Sequence, residues 1–387
     1  MEVAVVRDGD GFDLLREEWD RLVAACPEAS IFQTFDWQRT WWRHFGASHR
    51  LLLLLAREQQ RLVAILPLYE AREAQPLAPS LRRVRPIGIG GETSPDYLGQ
   101  IALPEYARAA AAAFCQQLVR DSDRWDVLEL SDLREGSELL AEASRMRPSR
   151  EARVVVGESA RISYTDLPKT WDAYLAAMNS HARYAVRNVR RKFLAVPRTR
   201  LFVWTDRAGL DTAVDRLIQL HNMRWHGRVA HHSFSTQRYN AFHRELMHVF
   251  MEKDWLRLYC IQLGEEIIGI YYCYVFRGVL FHFQGGFDPK HENLRIGQCL
   301  MGYAVESAIG EGCTGLDMLR GEYDYKKRWA PSTRTTYSVS VTRPTLAANV
   351  DRLMRGVLVP IKSRLKRIVG RGSSRAPAAA SARDQDM

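Results

Sequence analysis

Two stretches of this chain share one plan. The first is LLLLLAREQQRLVAILPLY, Leu51 to Tyr69, and the second is LRLYCIQLGEEIIGIYYCY, Leu256 to Tyr274. Each is an apolar run, a short charged turn and a second apolar run with near alternation, which predicts a β-hairpin. They align without a gap, Leu51 on Leu256 and Leu62-Val63-Ala64-Ile65 on Ile267-Ile268-Gly269-Ile270. A repeated hairpin predicts two similar units, and 387 residues suffice for two domains.

The first unit is expected over residues 1–160. Phe12 to Ala25 has helical periodicity, as does FDWQRTWWRHFG, where Trp41, Trp42 and Phe45 share a face. After the hairpin come a helix from Glu105 to Arg120, a strand from Trp125 to Leu130 and a helix from Ser131 to Arg145. The second unit is expected over 161–345. Its helices fall near Trp171 to Met178, over Asp211 to Gly227 and over Tyr239 to Lys253. Val214, Leu217, Ile218 and His221 lie on one side of the second of these. The second hairpin, a strand GVLFHFQGGF, a helix from Ile296 to Ile309 and a strand CTGLDML complete it. This order predicts an α/β fold of mixed (α+β) sheets with helices on both faces. Residues 346–387 differ: Asn349 to Arg371 is basic and partly amphipathic, although Pro360 interrupts it, and SSRAPAAASARDQDM has a disordered composition.

Composition narrows the chemistry. Hydrophobic residues make up 46% and charged residues 26%, an ordinary globular balance. The six cysteines (Cys26, Cys115, Cys260, Cys273, Cys299, Cys313) are scattered and form no C-x-x-C pair, so buried reduced thiols are expected. MEVAVVRDGDGF lacks a basic n-region and a long apolar h-region, so no signal peptide is expected. The most apolar run, Leu51 to Ala56, is far short of the roughly 20 residues of a membrane span. A net charge of +10 favours anionic partners without choosing among phosphates, nucleic acid and acidic lipid.

Several motifs are missing. There is no Walker-type loop, no H-E-x-x-H, no G-x-S-x-G, and IGIGG (Ile87 to Gly91) reads as a tight turn. No two of His221, His226, His231, His232, His243 and His248 have the spacing of a helical metal pair, and no metal is expected.

Other segments can carry chemistry. In GGFDPKHENLRIGQCLMGYAVESAI a strand leads through Arg295-Ile296-Gly297 into a helix, whose open N–H groups and dipole suit a phosphate; a plain capped junction is the alternative. GEYDYKKRWAP, Gly321 to Pro331, crowds large and charged side chains behind a strand. The block SHARYAVRNVRRKFLAVPRTR has no acid, and Arg183, Arg187 and Arg190 share a helical face. It reads as a solvated face or as a nucleic-acid arm.

These pieces, with FQTFDWQRTWWRHFG, SPDYLG, LHNMRW and LDMLRGEYDYKKRWAP, resemble GNAT acyltransferases encoded beside cellulose and exopolysaccharide synthesis genes, and the related FemAB transferases. The resemblance spans about residues 30–340 and implies two tandem GNAT-like domains in a FemAB-like architecture. It implies an acyl-CoA donor, acetyl-CoA or longer, and an N-acyltransferase acting on an amino sugar or a related polysaccharide or envelope precursor. The donor would meet Gln284, Gly285 and Gly286, with a bulge at the glycines, and Arg295 and Gly297. Tyr325 would be the acid, Asp317 or Glu322 the base. Asp96, Tyr97, Arg183, Arg187, Arg224, Trp225, Lys326 and Trp329 would bind an anionic or lipid-linked sugar acceptor. Structural roles are the alternatives: a hydrogen-bonded structural Asp317, an Asx turn with a packed Tyr97, and core packing at Arg224-Trp225. The family signature Q/R-x-x-G-x-G/A is incomplete here, since Arg295 is followed by Gly297 and then Gln298-Cys299-Leu300. A FemAB-type transferase using aminoacyl-tRNA, which the positive charge suits, is one alternative, and a non-catalytic accessory protein of polysaccharide synthesis, which the incomplete signature allows, is another. The expected location is cytoplasmic, with peripheral contact of 349–371 with an anionic membrane as a further expectation.

Overall fold

Both predicted hairpins form, and both carry the same defect. In the computed structural model, which describes residues 1–355 except Leu77, Gly91, 226–232, Glu322 and the Trp225 side chain, β2 (Arg50–Glu58) pairs with β3 (Arg61–Gln75). β9 (Leu256–Leu263) pairs with β10 (Glu266–Phe276). The first register slips between Ala56 and Arg57, which leaves Val63 as the extra residue on β3. The second slips between Ile267 and Gly269, which leaves Ile268 extra on β10. Val63 and Ile268 are aligned positions, and both are buried. A bulge is set by local packing and kept as a feature, so its recurrence marks one repeated structural plan.

The residues form two compact units: 1–90, 94–159 and 335 onward, and 91–93 with 160–334. The first has β1 (Glu2–Val6), β2, β3, β4 (Ala78–Pro86), β6 (Val127–Arg134) and β13 (Ser332–Thr342) in that spatial order, with the short β5 (Ile101–Ala102) on β3. All pairings are antiparallel except β4 with β6, which are parallel and joined through α4 (Ala107–Arg120). In the second unit, which takes in β7 (Arg153–Asp166) from Ala160 onward, the order is β7, β12 (Gly315–Arg320), β11 (Val279–Phe287), β10, β9, β8 (Thr199–Val203). Again one pair is parallel, β11 with β12, and again a helix, α10 (Ile296–Gly310), joins them. A parallel pair needs such a crossover, so the repeat extends through both hairpins to the helix that follows.

In the first unit, α1 (Gly9–Leu14), α2 (Arg16–Ala25) and α3 (Phe35–Phe45) bury Phe12, Trp19, Trp37 and Trp41. The single helix expected over Phe12 to Ala25 is interrupted at Leu15. The helix expected over Ser131 to Arg145 is a larger error. β6 runs on to Arg134 because that end pairs with β13, and only α5 (Glu138–Ser144) is helical, after Gly136 at φ 72°. The same pairing moves residues from 335 onward out of the expected second unit and into the first.

Residues 346–355 are helical, with Ala347 and Ala348 packed on Leu81 and Val127. Asp351 bonds Arg83 at 3.0 Å, and Arg83 also binds Glu73 and Glu129. The expected lipid-facing segment therefore begins as a docked helix. Its remainder and the tail, 356–387, lie outside the described residues.

The second unit adds α6 (Trp171–Ala177), α7 (Ser180–Leu194), α8 (Leu210–Trp225), α9 (Gln237–Glu252) and α11 (Asp324–Trp329). All six cysteines are free and buried.

Candidate active site

β11 departs from regular pairing where the site is built. Its register against β10 slips between Tyr272 and Cys273, so Phe283 is the extra residue. The expected bulge at Gly285-Gly286 therefore falls earlier in the strand. Without it, His282 and Gly285, three apart, would face opposite sides. With it, both meet Tyr271: the His282 ring lies 4.6 Å from the Tyr271 ring, and a Cβ on Gly285 would come within 2.4 Å of it. The Tyr271 hydroxyl donates to the Gly297 carbonyl at 2.9 Å and so ties β10 to the first turn of α10.

The glycines here make room for protein. A Cβ on Gly286 would stand 2.2 Å from the His221 backbone nitrogen, so the glycine lets α8 lie against β11. Gly297 makes room for the Tyr271 hydroxyl at 3.2 Å. The Cβ directions of Gly285 and Gly286, two residues expected at the donor, are thus filled by Tyr271 and α8. The neighbouring Gln284 donates from its Nε2 to Ser233 Oγ at 3.0 Å.

α8 brings Arg224 to the same place. Its guanidinium carbon is 4.5 Å from the centre of the Phe287 ring. The Arg224 charge acts on Tyr271, His282 and Tyr325, which places all three around it. Tyr325 is half-buried on α11, with its ring stacked on that of Tyr323 at 5.9 Å. Burial raises its phenol pKa, and Arg224 opposes that rise. His282 is pushed down to about 3 by burial, and then by Lys326 and Arg224. It is a neutral imidazole, and its buried Nε2 has no hydrogen-bond partner among the described residues.

The expected charges beside Tyr325 have other work. Lys326 is 5% exposed, and its Nζ donates to the carbonyls of Met318 (2.7 Å), Leu319 (3.2 Å) and Arg320 (2.6 Å). Three bonds use all three ammonium protons, so Lys326 closes the end of β12 and is not an acceptor-binding charge here. Asp317 Oδ1 accepts from the Leu319 N–H at 2.8 Å, and Leu319 sits at φ 57°. The β12–β7 register slips across that turn, between Asp317 and Arg320. This supports the structural alternative for Asp317. Trp329 is buried in the core, and its carbonyl accepts from the Tyr174 hydroxyl at 2.5 Å. GEYDYKKRWAP contains a short helix that sets Tyr325 between these two anchors.

Arg295 is exposed, in the left-handed conformation at φ 52°, and precedes α10. The Gln298 and Cys299 N–H groups donate to its carbonyl at 3.0 and 3.1 Å. The α7 arginines bind neighbouring helices: Arg183 reaches the Ala176 carbonyl at 3.2 Å, Arg187 pairs with Asp172 at 3.7 Å, and Arg190 pairs with Glu306. Asp96 and Tyr97 belong to the first unit and are buried. Tyr97 sits at φ 57°, its carbonyl accepts from Ser30 Oγ, and Arg134 lies 4.0 Å over its ring. Glu322 and the Trp225 side chain lie outside the described residues. Sequence reasoning passed over Tyr271 and His282; the one signal for His282 was a histidine set in an otherwise aromatic and apolar strand before two glycines.

Residues 180–327 match the family model of the acetyltransferase (GNAT) domain. No curated protein matches the chain by sequence. Among solved structures, the crystal structure of FemX has a TM-score of 0.60 at 11% identity, covering 92% of this chain and 100% of that one. The C-terminal domain of a putative lysylphosphatidylglycerol synthetase from Agrobacterium fabrum has a TM-score of 0.53 at 8% identity, covering 91% and 97%. L-PGS from Bacillus licheniformis has a TM-score of 0.52 at 11% identity, covering 92% and 96%. These are likenesses of fold, and with the domain match they support a two-domain GNAT architecture of the FemX kind. Among the described residues no three His, Cys, Asp or Glu side chains gather as a metal site, and no helix is long and apolar enough to cross a membrane.

Proposed function

We propose that the second unit transfers an acyl group from a thioester, acyl-CoA, to an amine, with Tyr325 as the acid for the leaving thiolate. The observation that carries this reading is the half-buried Tyr325 phenol beside Arg224, next to the β11–α10 junction, inside the segment matched to the GNAT domain. A phenol held protonated by burial has a proton to give at neutral pH, and a guanidinium beside it stabilises the phenolate left behind. Acyl-CoA supplies an activated carbonyl and a diphosphate. The residues that would hold the diphosphate are exposed Arg295 and the Ile296 and Gly297 N–H groups at the start of α10, ahead of the Gln298 and Cys299 N–H groups that bond the Arg295 carbonyl.

The chemistry balances with one proton from Tyr325. The amine nitrogen bonds to the carbonyl carbon, the carbon–sulfur bond breaks, and the sulfur takes the phenol proton. The proton lost by the attacking nitrogen returns the phenolate to phenol through solvent. His282 enters as a neutral hydrogen-bonding group, because a group pushed down to about 3 is a poor base near pH 7. Its buried Nε2 is suited to a polarised carbonyl or an amine in the site. The acceptor is proposed to be an amino sugar or related envelope precursor, anionic or lipid-linked, with a cytoplasmic enzyme acting on it.

A thermal shift series with acetyl-CoA, longer acyl-CoAs and tRNA tests the donor. A ligand bound only by the folded state raises the melting temperature. A rise with one or more CoA esters is expected. A rise with tRNA alone would replace the donor, and no rise with any CoA ester would remove this reading.

A further inference from the structure

The first unit holds a second feature that points to a ligand. A pocket of about 570 Å³ opens on one sheet face and is lined by Arg7, Arg50, Arg72, Arg82 and Arg124, with Glu70 among them. Strand register explains why they gather. Arg50 on β2 is directly opposite Glu70 on β3, and Arg72, two residues on and so on the same face, is directly opposite Arg82 on β4. Like charges directly opposite in an antiparallel pair are unfavourable. The sheet nevertheless places these two guanidiniums side by side.

The carboxylates do not balance the arginines. Glu70 is within 3.5 Å of Arg72, Asp126 binds Arg82 at 3.0 Å, and Asp121 lies 3.7 Å from Arg7. Arg50 and Arg124 have no side-chain hydrogen bond or ion pair among the described residues. Two positive charges are therefore left over at the mouth of a pocket large enough for a small metabolite. Trp42 and His49 line the pocket beside them.

The geometry points to a binding site for a phosphate dianion, either a phosphate monoester or a diphosphate, held by Arg50 and Arg124 in the pocket over β2, β3 and β4. Guanidinium forks match phosphate oxygens in pairs, and two uncompensated arginines match a dianion. A soluble sugar phosphate and a lipid headgroup carry the same chemistry, so the test must separate them. The site is in the first unit and does not depend on the acyl-transfer reading.

The experiment is calorimetric titration of the full chain with inorganic pyrophosphate at low salt, beside co-sedimentation with phosphatidic acid vesicles. Each is repeated with R50A/R124A and, as a charge-matched control, R198A/R200A. Among the described residues neither the Arg50 nor the Arg124 side chain bonds or pairs with another, so the test variant is expected to fold. Pyrophosphate binding weakened at least tenfold in R50A/R124A, and less than twofold in the control, supports a soluble ligand. Vesicle binding alone, lost in the same variant and kept in the control, supports a lipid headgroup. Absence of both kinds of binding, or equal weakening in both variants, overturns the proposal, since the latter is the result of bulk charge alone.

Discussion

The guanidinium of Arg224 lies 4.5 Å over the ring of Phe287, and its charge lowers the phenol of Tyr325 against the upward push of burial. Removing that charge as Arg224→Met leaves burial unopposed, so the Tyr325 pKa rises further. Activity that needs a protonated phenol fails where the phenol ionises. The alkaline limb of the rate profile should therefore move to higher pH in the variant. The rate at neutral pH should fall, because the phenolate formed on proton transfer is no longer stabilised. An alkaline limb that stays in place would separate Arg224 from Tyr325.

Lys326 is expected to govern stability. Lys326→Met strips the only ammonium from three carbonyls at the end of β12. Unsatisfied buried groups cost about 1–3 kcal/mol each, partly recovered by water, so a loss of about 2–4 kcal/mol is expected in urea unfolding. The acceptor KM of the folded fraction should stay within about twofold. A raised KM at unchanged stability would restore Lys326 to the acceptor site.

Gly286→Ala should be costly. The added carbon meets helix backbone, which cannot rotate away as a side chain can. Overpacking of this kind costs about 1–3 kcal/mol. Gly310→Ala, in α10 at a position where nothing lies within 4 Å, is the control and should be neutral or stabilising by up to about 1 kcal/mol. Equal stability of the two variants would mean that α8 does not press on β11.

His282 should be neutral throughout the range where free histidine titrates. Its folded pKa is about 3 against an unfolded value of 6.5, so the unfolded chain binds the proton first. Stability contributed by this group is complete above pH 6.5 and is lost as pH falls toward 3. The slope is about 1.4 kcal/mol per pH unit. Ring ¹⁵N shifts in NMR should show no titration of His282 between pH 5 and 8, and His282→Gln should remove its share of the acid slope. A His282 that titrates near 6.5 would refute the buried, cation-flanked placement.

Much of the fold was legible where the signal was local. The two hairpins, α9 and α10 follow from periodicity and charged turns over short spans. What was missed depends on partners far along the chain. Ser131 to Arg134 are strand because β13, some 200 residues later, lies beside them. The bulge at Phe283 is invisible in VLFHFQGGF, yet it decides that His282 and Gly285 share a face. Composition also cannot tell a lysine that binds phosphate from one that binds three carbonyls. Lys326 binds three carbonyls, whereas Tyr325 beside it lies next to Arg224.

The central claim is that Tyr325 delivers the proton in an acyl transfer. Thiol release from acetyl-CoA, measured with a panel of amino sugars as acceptors and paired with calorimetric donor binding, addresses it most directly in wild type and Tyr325→Phe. The account predicts that kcat falls by about 100-fold or more while the donor Kd changes by less than about twofold, within the usual range for loss of a general acid. A Tyr325→Phe enzyme that turns over as fast as wild type would contradict it.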